Sequence, residues 1–284
     1  MKLATFLLNG ERRVGVSDAQ GLRPLSRSVG TDVGAVVQAV AQGQSLSNLA
    51  AQTEAVVIES QVAHLPPVVA PGKIICVGLN YADHTDESPY EQPDYPTLFI
   101  RLNTSLTAHN APIVRPLCSD SLDFEGELAV IIGKEAKHVT KEDALDHVFG
   151  YSVFNDGSVR EYQFKSPQWT MGKTFDKTGG FGPVVVTADE LPVGAKGLKL
   201  ETRLNGQVVQ SSNTQLMIFD VATLISVISE AITLQPGDVI VAGTPAGIGW
   251  ARNPKLLMRH GDVCEVSIEG IGTLRNPIAD EVIA

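Results

Sequence analysis

Three carboxylates, Asp123, Glu125 and Glu127, stand at alternate positions at the head of LDFEGELAVIIG, residues 122–133. In an extended chain residues two apart share a face, so the three are expected to point one way at the spacing of a β-pleat. Like charges so placed repel, and burying them unpaired costs several kcal/mol each, so a positive partner is expected in front of them. Alternating acids on an exposed strand face are common, but here the face turns apolar at Ala129 and Ile131, as for a strand buried on both sides. Asp156 ends a second strand-like run, FND at 154–156, and would stand beside Glu125 and Glu127 if the two strands are neighbours. Three carboxylates with no His or Cys nearby make a hard-oxygen set suited to Mg²⁺ or Mn²⁺. With one divalent cation such a set keeps about one negative charge. An anionic ligand then needs further cations, and VREYQ (159–163) and MGKTFD (171–176) offer Arg160 and Lys173.

Two other stretches carry chemistry. In GLNYADHTDES (78–88), His84 and Glu87 lie three apart, so one helical turn would set the carboxylate beside the imidazole. A carboxylate partner orients a histidine and raises its basicity, which a general base acting on water needs. On this segment alone a surface histidine in a charged loop is the commoner reading, and the other five histidines lie in linker, turn or helix contexts. AGTPAGIG (242–249) is a strand entering a Gly/Pro loop, where backbone N–H groups can approach a ligand oxygen and Thr244 can offer its hydroxyl; a plain tight turn looks the same.

These residues need strands to hold them. KLATFLL, RRVGVSD and LRPLSR read as short strands, and TDVGAVVQAVAQG as a helix capped by Thr31 or Asp32 and ended at Gly43. HLPPVVAPGK (64–73) marks a boundary, giving a small N-terminal α+β domain at 1–70 and a catalytic domain at 71–284. Further on, KIICVGLN, DFEGELAVIIG and YSVFND read as strands, TKEDALDHV as a short helix with a Thr140–Asp143 capping box, and Asn205–Gly206 as a type I′ hairpin turn. Residues 214–233 read as a buried helix of about five turns. Two Gly-Asp turns, GDVIVAGTP and GDVCEVSIEGIGTLRN, feed the last strands. Few helices among many hairpin-joined strands give a β-rich α+β class, a mixed sandwich or barrel.

At 284 residues, 43% hydrophobic and 19% charged, the chain has an ordinary globular composition. A net charge of −10 argues against nucleic acid, which needs a basic footprint, and leaves room for a small anion answering to the local field. No nucleotide-binding glycine motif is present, no run approaches a membrane span, and the N-terminal apolar run is too short for a signal peptide. Cys76, Cys118 and Cys264 are widely spaced, without a metal-type pair. The chain reads most simply as cytoplasmic.

In order, KIICVGLNYADH, PTLFIR, DFEGELAVIIG, GYSVFNDGSVREYQ, GKTFD, TRLNG, LISVIS, LQPGDVIVAGTPAGIG and GDVCEVSIEGIGTLRNP together resemble the fumarylacetoacetate hydrolase family over about residues 72–280. The resemblance implies a mixed β-sandwich or β-roll catalytic domain and a homodimer. It also implies a divalent metal, Mg²⁺ or Mn²⁺, on Glu125, Glu127 and Asp156. By the same resemblance Lys173 is the substrate-binding lysine, His84 and Glu87 the dyad, Thr244 the loop threonine, and Arg160 and Gln163 line the pocket. Asp123 is not among the family's usual ligands. Many members have a small apolar residue where this chain has Gly157.

The implied chemistry is a metal-stabilised enolate of a small anionic 2-oxo acid. The leading expectation is hydrolytic C–C cleavage of an acylpyruvate or fumarylpyruvate type of 2,4-dioxo acid, with Lys173 at the enolate and His84, oriented by Glu87, as base. Decarboxylation of an oxaloacetate type and isomerisation of a 2-hydroxymuconate type use the same enolate, and fold analogy does not choose among them. A non-catalytic ligand-binding protein is the reading outside the enzyme class.

Overall fold

A computed structural model describes residues 1–82 and 94–283. Strands β1 (Lys2–Leu8), β2 (Glu11–Asp18) and β3 (Gly21–Pro24) form an opening meander. Helices α1 (Val33–Ala41) and α2 (Leu46–Ala50) and a short β4 (Ala63–His64) follow. Asp32, not Thr31, caps α1, its Oδ1 accepting from the Ala35 N–H at 2.8 Å. Next come β5 (Ile74–Gly78), β6 (Thr97–Ile100), β7 (Leu106–Ala108), β8 (Ile113–Arg115) and β9 (Leu122–Asp123). They lead to the pair at the centre of the molecule, β10 (Gly126–Ile132) and β11 (Val148–Asp156). Beyond it lie β12 (Ser158–Val159), the single turns α3 (Arg160–Gln163) and α4 (Thr170–Lys173), and β13 (Gly179–Thr187). The chain closes with β14 (Lys199–Leu204), β15 (Gln207–Asn213), α5 (Val221–Ala231), β16 (Val239–Val241), β17 (Val263–Ile268) and β18 (Gly272–Asp280).

Among the described residues the larger sheet runs β3-β2-β1-β13-β11-β10-β16-β5-β6, with β4 against β1 and β7 against β13. A five-stranded sheet, β15-β14-β17-β18-β8, packs on one side of it. Every residue of β10 is buried, because its two faces enter different cores. Leu128, Val130 and Ile132 face the second sheet and α5, alongside Leu200, Val266 and Ile225. Ala129 and Ile131 face the opposite way, toward α1 and the aromatic rings of Phe99, Phe154 and Phe181. This is the strand-rich α+β class expected from the pattern.

Two local expectations change. The five-turn helix at 214–233 is an 11-residue helix, α5, preceded by a 3₁₀ turn at Thr214–Leu216. Asp220 starts it as cap, accepting from the Thr223 N–H at 2.9 Å; its short carboxylate competes for backbone N–H groups and so begins a helix better than it continues one. TKEDALDHV forms turns and a 3₁₀ helix at Ala144–His147, although Thr140 and Asp143 still bond each other. The hairpin is as expected: Asn205 and Gly206 have φ of 51° and 79°, both positive as a type I′ turn demands.

Candidate active site

The antiparallel pairing of β10 with β11 sets Gly126 opposite Asn155 and Glu127 opposite Phe154, which brings the head of one strand to the tail of the other. Glu125, Glu127 and Asp156 therefore converge: one ligand atom from each lies within 4.8 Å of the others, and all three residues are buried. Asp123 is not part of this group. The chain breaks between β9 and β10, and β9 pairs with β12 instead, Asp123 opposite Ser158. The expected run of three side-by-side acids is thus two acids plus Asp156, with Asp123 outside the cluster but sharing Arg160 with Glu125.

Each carboxylate has its own anchor. Lys173 Nζ donates to Glu125 Oε2 at 2.6 Å and to Asp156 Oδ2 at 2.7 Å. Arg101, 3% exposed, donates to the other Asp156 oxygen and to Gly157 O at 3.2 Å, while Ser105 and Thr178 hold the rest of its guanidinium. Glu127 Oε2 accepts from the Gly243 N–H at 2.5 Å, so the Gly/Pro loop does deliver a backbone donor to the triad. Arg160 Nη2 forms ion pairs with Glu125 Oε1 at 2.6 Å and with Asp123 Oδ2 at 2.8 Å.

Arg101 gave no signal in the sequence. It follows a short strand, and its carboxylate partner lies 55 residues on. A surplus of buried acid over the two cations in view was the one clue that a third was needed. The flagged Gly157 also has a reason: a Cβ there would lie 2.2 Å from Thr178 O, so only glycine lets that backbone pass.

The electrostatics follow from four buried carboxylates, Asp123 included, meeting three buried cations, Arg101, Arg160 and Lys173. Burial, then repulsion from Asp156 and Glu125, pushes the Glu127 carboxyl well above the usual range. Burial opposes the charge on Lys173, but Asp156 and Glu125 outweigh it and raise its pKa. The surplus acid, the all-oxygen donor set and its compactness fit a hard divalent cation, which Glu125, Glu127 and Asp156 would hold.

Thr244 is buried, but its hydroxyl donates to Gly126 O at 3.0 Å and accepts from Gln210 Nε2 at 2.9 Å, so in this arrangement it ties the loop to β10. Gln163 is buried, its Oε1 accepting from Arg160 Nη1 at 2.8 Å. His84 and Glu87 lie outside the described residues. A cleft of about 690 Å³, lined by residues including Leu79, Phe99, Phe164, Lys165 and Trp169, opens beside the site. The Phe99 ring centroid is 4.9 Å from Lys173 Nζ and 5.7 Å from the Trp169 ring, which links the cleft to the triad.

A strand-rich α+β scaffold carrying a buried Glu/Glu/Asp triad defines a class that comparison with known proteins identifies. The model described as Fumarylacetoacetate (FAA) hydrolase C-terminal matches residues 73–279, and the chain belongs to this family of enzymes. It is 38% identical over 248 residues, 86% of this chain and 79% of the relative, to oxaloacetate tautomerase Fahd2a, mitochondrial, of Rattus norvegicus. Among solved structures it is similar to a fumarylacetoacetate hydrolase from psychrophilic Exiguobacterium antarcticum, with TM-score 0.87, 36% identity and coverage of 99% of this chain and 100% of that one. It is also similar to a 5-carboxymethyl-2-hydroxymuconate delta-isomerase from Mycobacterium smegmatis, with TM-score 0.79, 31% identity and full coverage of both chains. Among the described residues no helix is long and apolar enough to cross a membrane.

Proposed function

We propose that the chain interconverts the keto and enol forms of a small anionic 2-oxo acid of the oxaloacetate type. The observation that carries this reading is the compact Glu125–Glu127–Asp156 triad with the Lys173 ammonium bridging two of its members. Mg²⁺ or Mn²⁺ bound there would supply Lewis-acid stabilisation of negative charge on the 2-oxo oxygen. Lys173, a buried cation beside the same place, favours the charge that develops as a proton leaves the neighbouring carbon. Phe99, packed over Lys173, shields that ammonium from water and so strengthens its effect. Arg101 and Arg160 fix Asp156 and Glu125 and keep the site from rejecting an anion. The carbon proton would pass to His84, oriented by Glu87, a role that rests on the sequence resemblance.

Hydrolysis of an acylpyruvate-type 2,4-dioxo acid is the second reading, favoured by the His84/Glu87 spacing, which suits activation of a water. Oxaloacetate-type decarboxylation and 2-hydroxymuconate-type isomerisation draw on the same enolate. A homodimer is the assembly we propose.

The deciding test follows the enol absorbance of oxaloacetate with Mg²⁺, beside an EDTA-treated sample and a parallel one with acetylpyruvate. Metal-dependent acceleration of the oxaloacetate interconversion, with acetylpyruvate unchanged, is the expected result. Loss of acetylpyruvate with no effect on oxaloacetate would overturn the tautomerase reading in favour of the hydrolase.

A further inference from the structure

We propose that Gln210 is a positioning residue that holds Glu125 and Glu127 at the spacing a small divalent cation needs, and so makes the triad prefer Mg²⁺ or Mn²⁺ to Ca²⁺. This rests on the metal-site reading above and names what gives that site its selectivity.

Gly126 is the residue between the two glutamates. A glycine leaves the backbone its widest freedom, so two ligands flanking one can swing unless the peptide groups between them are held. Both polar groups of Gly126 are taken by side chains. Its N–H donates to Gln210 Oε1 at 2.9 Å, and its carbonyl accepts from the Thr244 hydroxyl at 3.0 Å. Gln210 Nε2 in turn donates to Thr244 Oγ1 and to Pro245 O, each at 2.9 Å. The Gly126 N–H can only donate and the Pro245 carbonyl only accept, so the two ends of the amide are fixed. Gln210, Thr244 and Gly126 thus close a ring, and the loop tied into it supplies the Gly243 N–H that Glu127 Oε2 accepts. Gln210 therefore holds Glu127 twice, through its backbone and through its carboxylate.

Gln210 reaches this place through an irregularity in its own strand. Thr202 lies opposite Gln210 and Arg203 opposite Val208, which leaves Val209 as an extra residue, a β-bulge. Simple alternation would bury one of Val209 and Gln210 and expose the other, yet both are buried. Val209 packs with Leu204 and Met258, and its displaced carbonyl accepts from Arg252 Nη2 at 2.5 Å. The approach is close: a Cβ on Gly126 would lie 2.2 Å from Thr202 Oγ1. A polar amide is costly to bury between two sheets, where apolar side chains stabilise by packing alone. What the amide adds is a fixed Gly126. Mg²⁺ demands near-ideal ligand placement whereas Ca²⁺ accepts a flexible set, so loosening Gly126 harms Mg²⁺ more.

The test compares full-length wild type, Gln210→Met and Ile268→Val by thermal melting in EDTA and by spin-resonance titration with Mn²⁺, the Mg²⁺ and Ca²⁺ affinities being read from its displacement. Gln210→Met keeps the bulk and removes both polar ends, whereas Ile268→Val loosens the core of the same sheet on β17. Gln210→Met is expected to weaken Mg²⁺ and Mn²⁺ about tenfold or more, the usual effect of removing a partner behind metal ligands, and Ca²⁺ distinctly less. The preference between Ca²⁺ and Mg²⁺ then shifts toward Ca²⁺. Ile268→Val is expected to lower the melting temperature without moving that preference. Equal losses for the three ions, unchanged affinities, or the same shift in Ile268→Val would overturn the proposal. Should Gln210→Met not fold, Gln210→Asn, one carbon short of the reach, enters the comparison with the same deciding outcomes. Wild-type protein that binds none of the three ions would overturn the metal-site reading itself, and this inference with it.

Discussion

Lys173 Nζ and Asp156 Oδ2 are 2.7 Å apart, both side chains buried, and the same ammonium reaches Glu125 at 2.6 Å. The lysine thus competes with any cation for the two carboxylates it serves. Lys173→Met is expected to tighten Mn²⁺ binding by making the site more negative, while lowering turnover of a 2-oxo acid by about 10²-fold or more. Spin-resonance titration beside the enol assay checks both. Weaker Mn²⁺ binding would show that the ammonium supports the cation.

Arg101 places a second buried cation on Asp156. Removing one partner leaves a buried charge uncompensated, so Arg101→Ala is expected to cost about 3–5 kcal/mol of stability. Urea unfolding measures it, and a loss below about 1 kcal/mol would mean that Asp156 finds another partner.

Metal removal is expected to abolish turnover and lower the melting temperature, and added Mg²⁺ or Mn²⁺ to restore both. At one hundred times its dissociation constant a cation contributes about 2.7 kcal/mol. A melting curve that ignores EDTA and Mn²⁺ alike would count against the triad as a metal site.

His109 gives a pH prediction away from the triad. Burial, then the nearby His64, lowers its pKa to about 4. Its Nδ1 accepts from the Arg275 N–H at 3.1 Å, which requires the neutral ring. The unfolded chain binds this proton near pH 6.5 and the folded chain resists it, so the contribution is full above about 6.5 and is lost as pH falls toward about 4. Urea midpoints for wild type and His109→Gln should therefore converge as pH drops through that window. Parallel curves would remove His109 as the cause.

Gly157→Ala would drive a methyl against Thr178 O, on the backbone that Arg101 grips beside Asp156. Overpacking of this kind costs about 1–3 kcal/mol, and here it should also weaken Mn²⁺ binding. Unchanged Mn²⁺ affinity would show that the strand end yields without moving the ligand.

What was legible in the sequence is what repeats locally. The alternation of acids and the switch to an apolar run announce β10, and FND announces the end of β11; their adjacency needs only an antiparallel pair. Asp123 was misplaced because alternation holds within one strand, and here the chain changes partner strand between Asp123 and Gly126. Arg101 stayed hidden because a long-range ion pair has no period. Arg160 is legible as a cation near the acids, but not its partners: a sequence shows a free charge where the fold shows a guanidinium shared between Asp123, Glu125 and Gln163.

The strand β13 lies against Asp156 at Gly179 and against Lys2 at Val186, so the opening meander and the triad are rungs of one ladder. The proline-rich stretch at 64–73 therefore joins elements that belong to one sheet. A protease or a cloning cut placed there would strip a neighbour from the strand that braces Asp156 and bare a row of unpaired amides and carbonyls, ready to zip onto a second molecule.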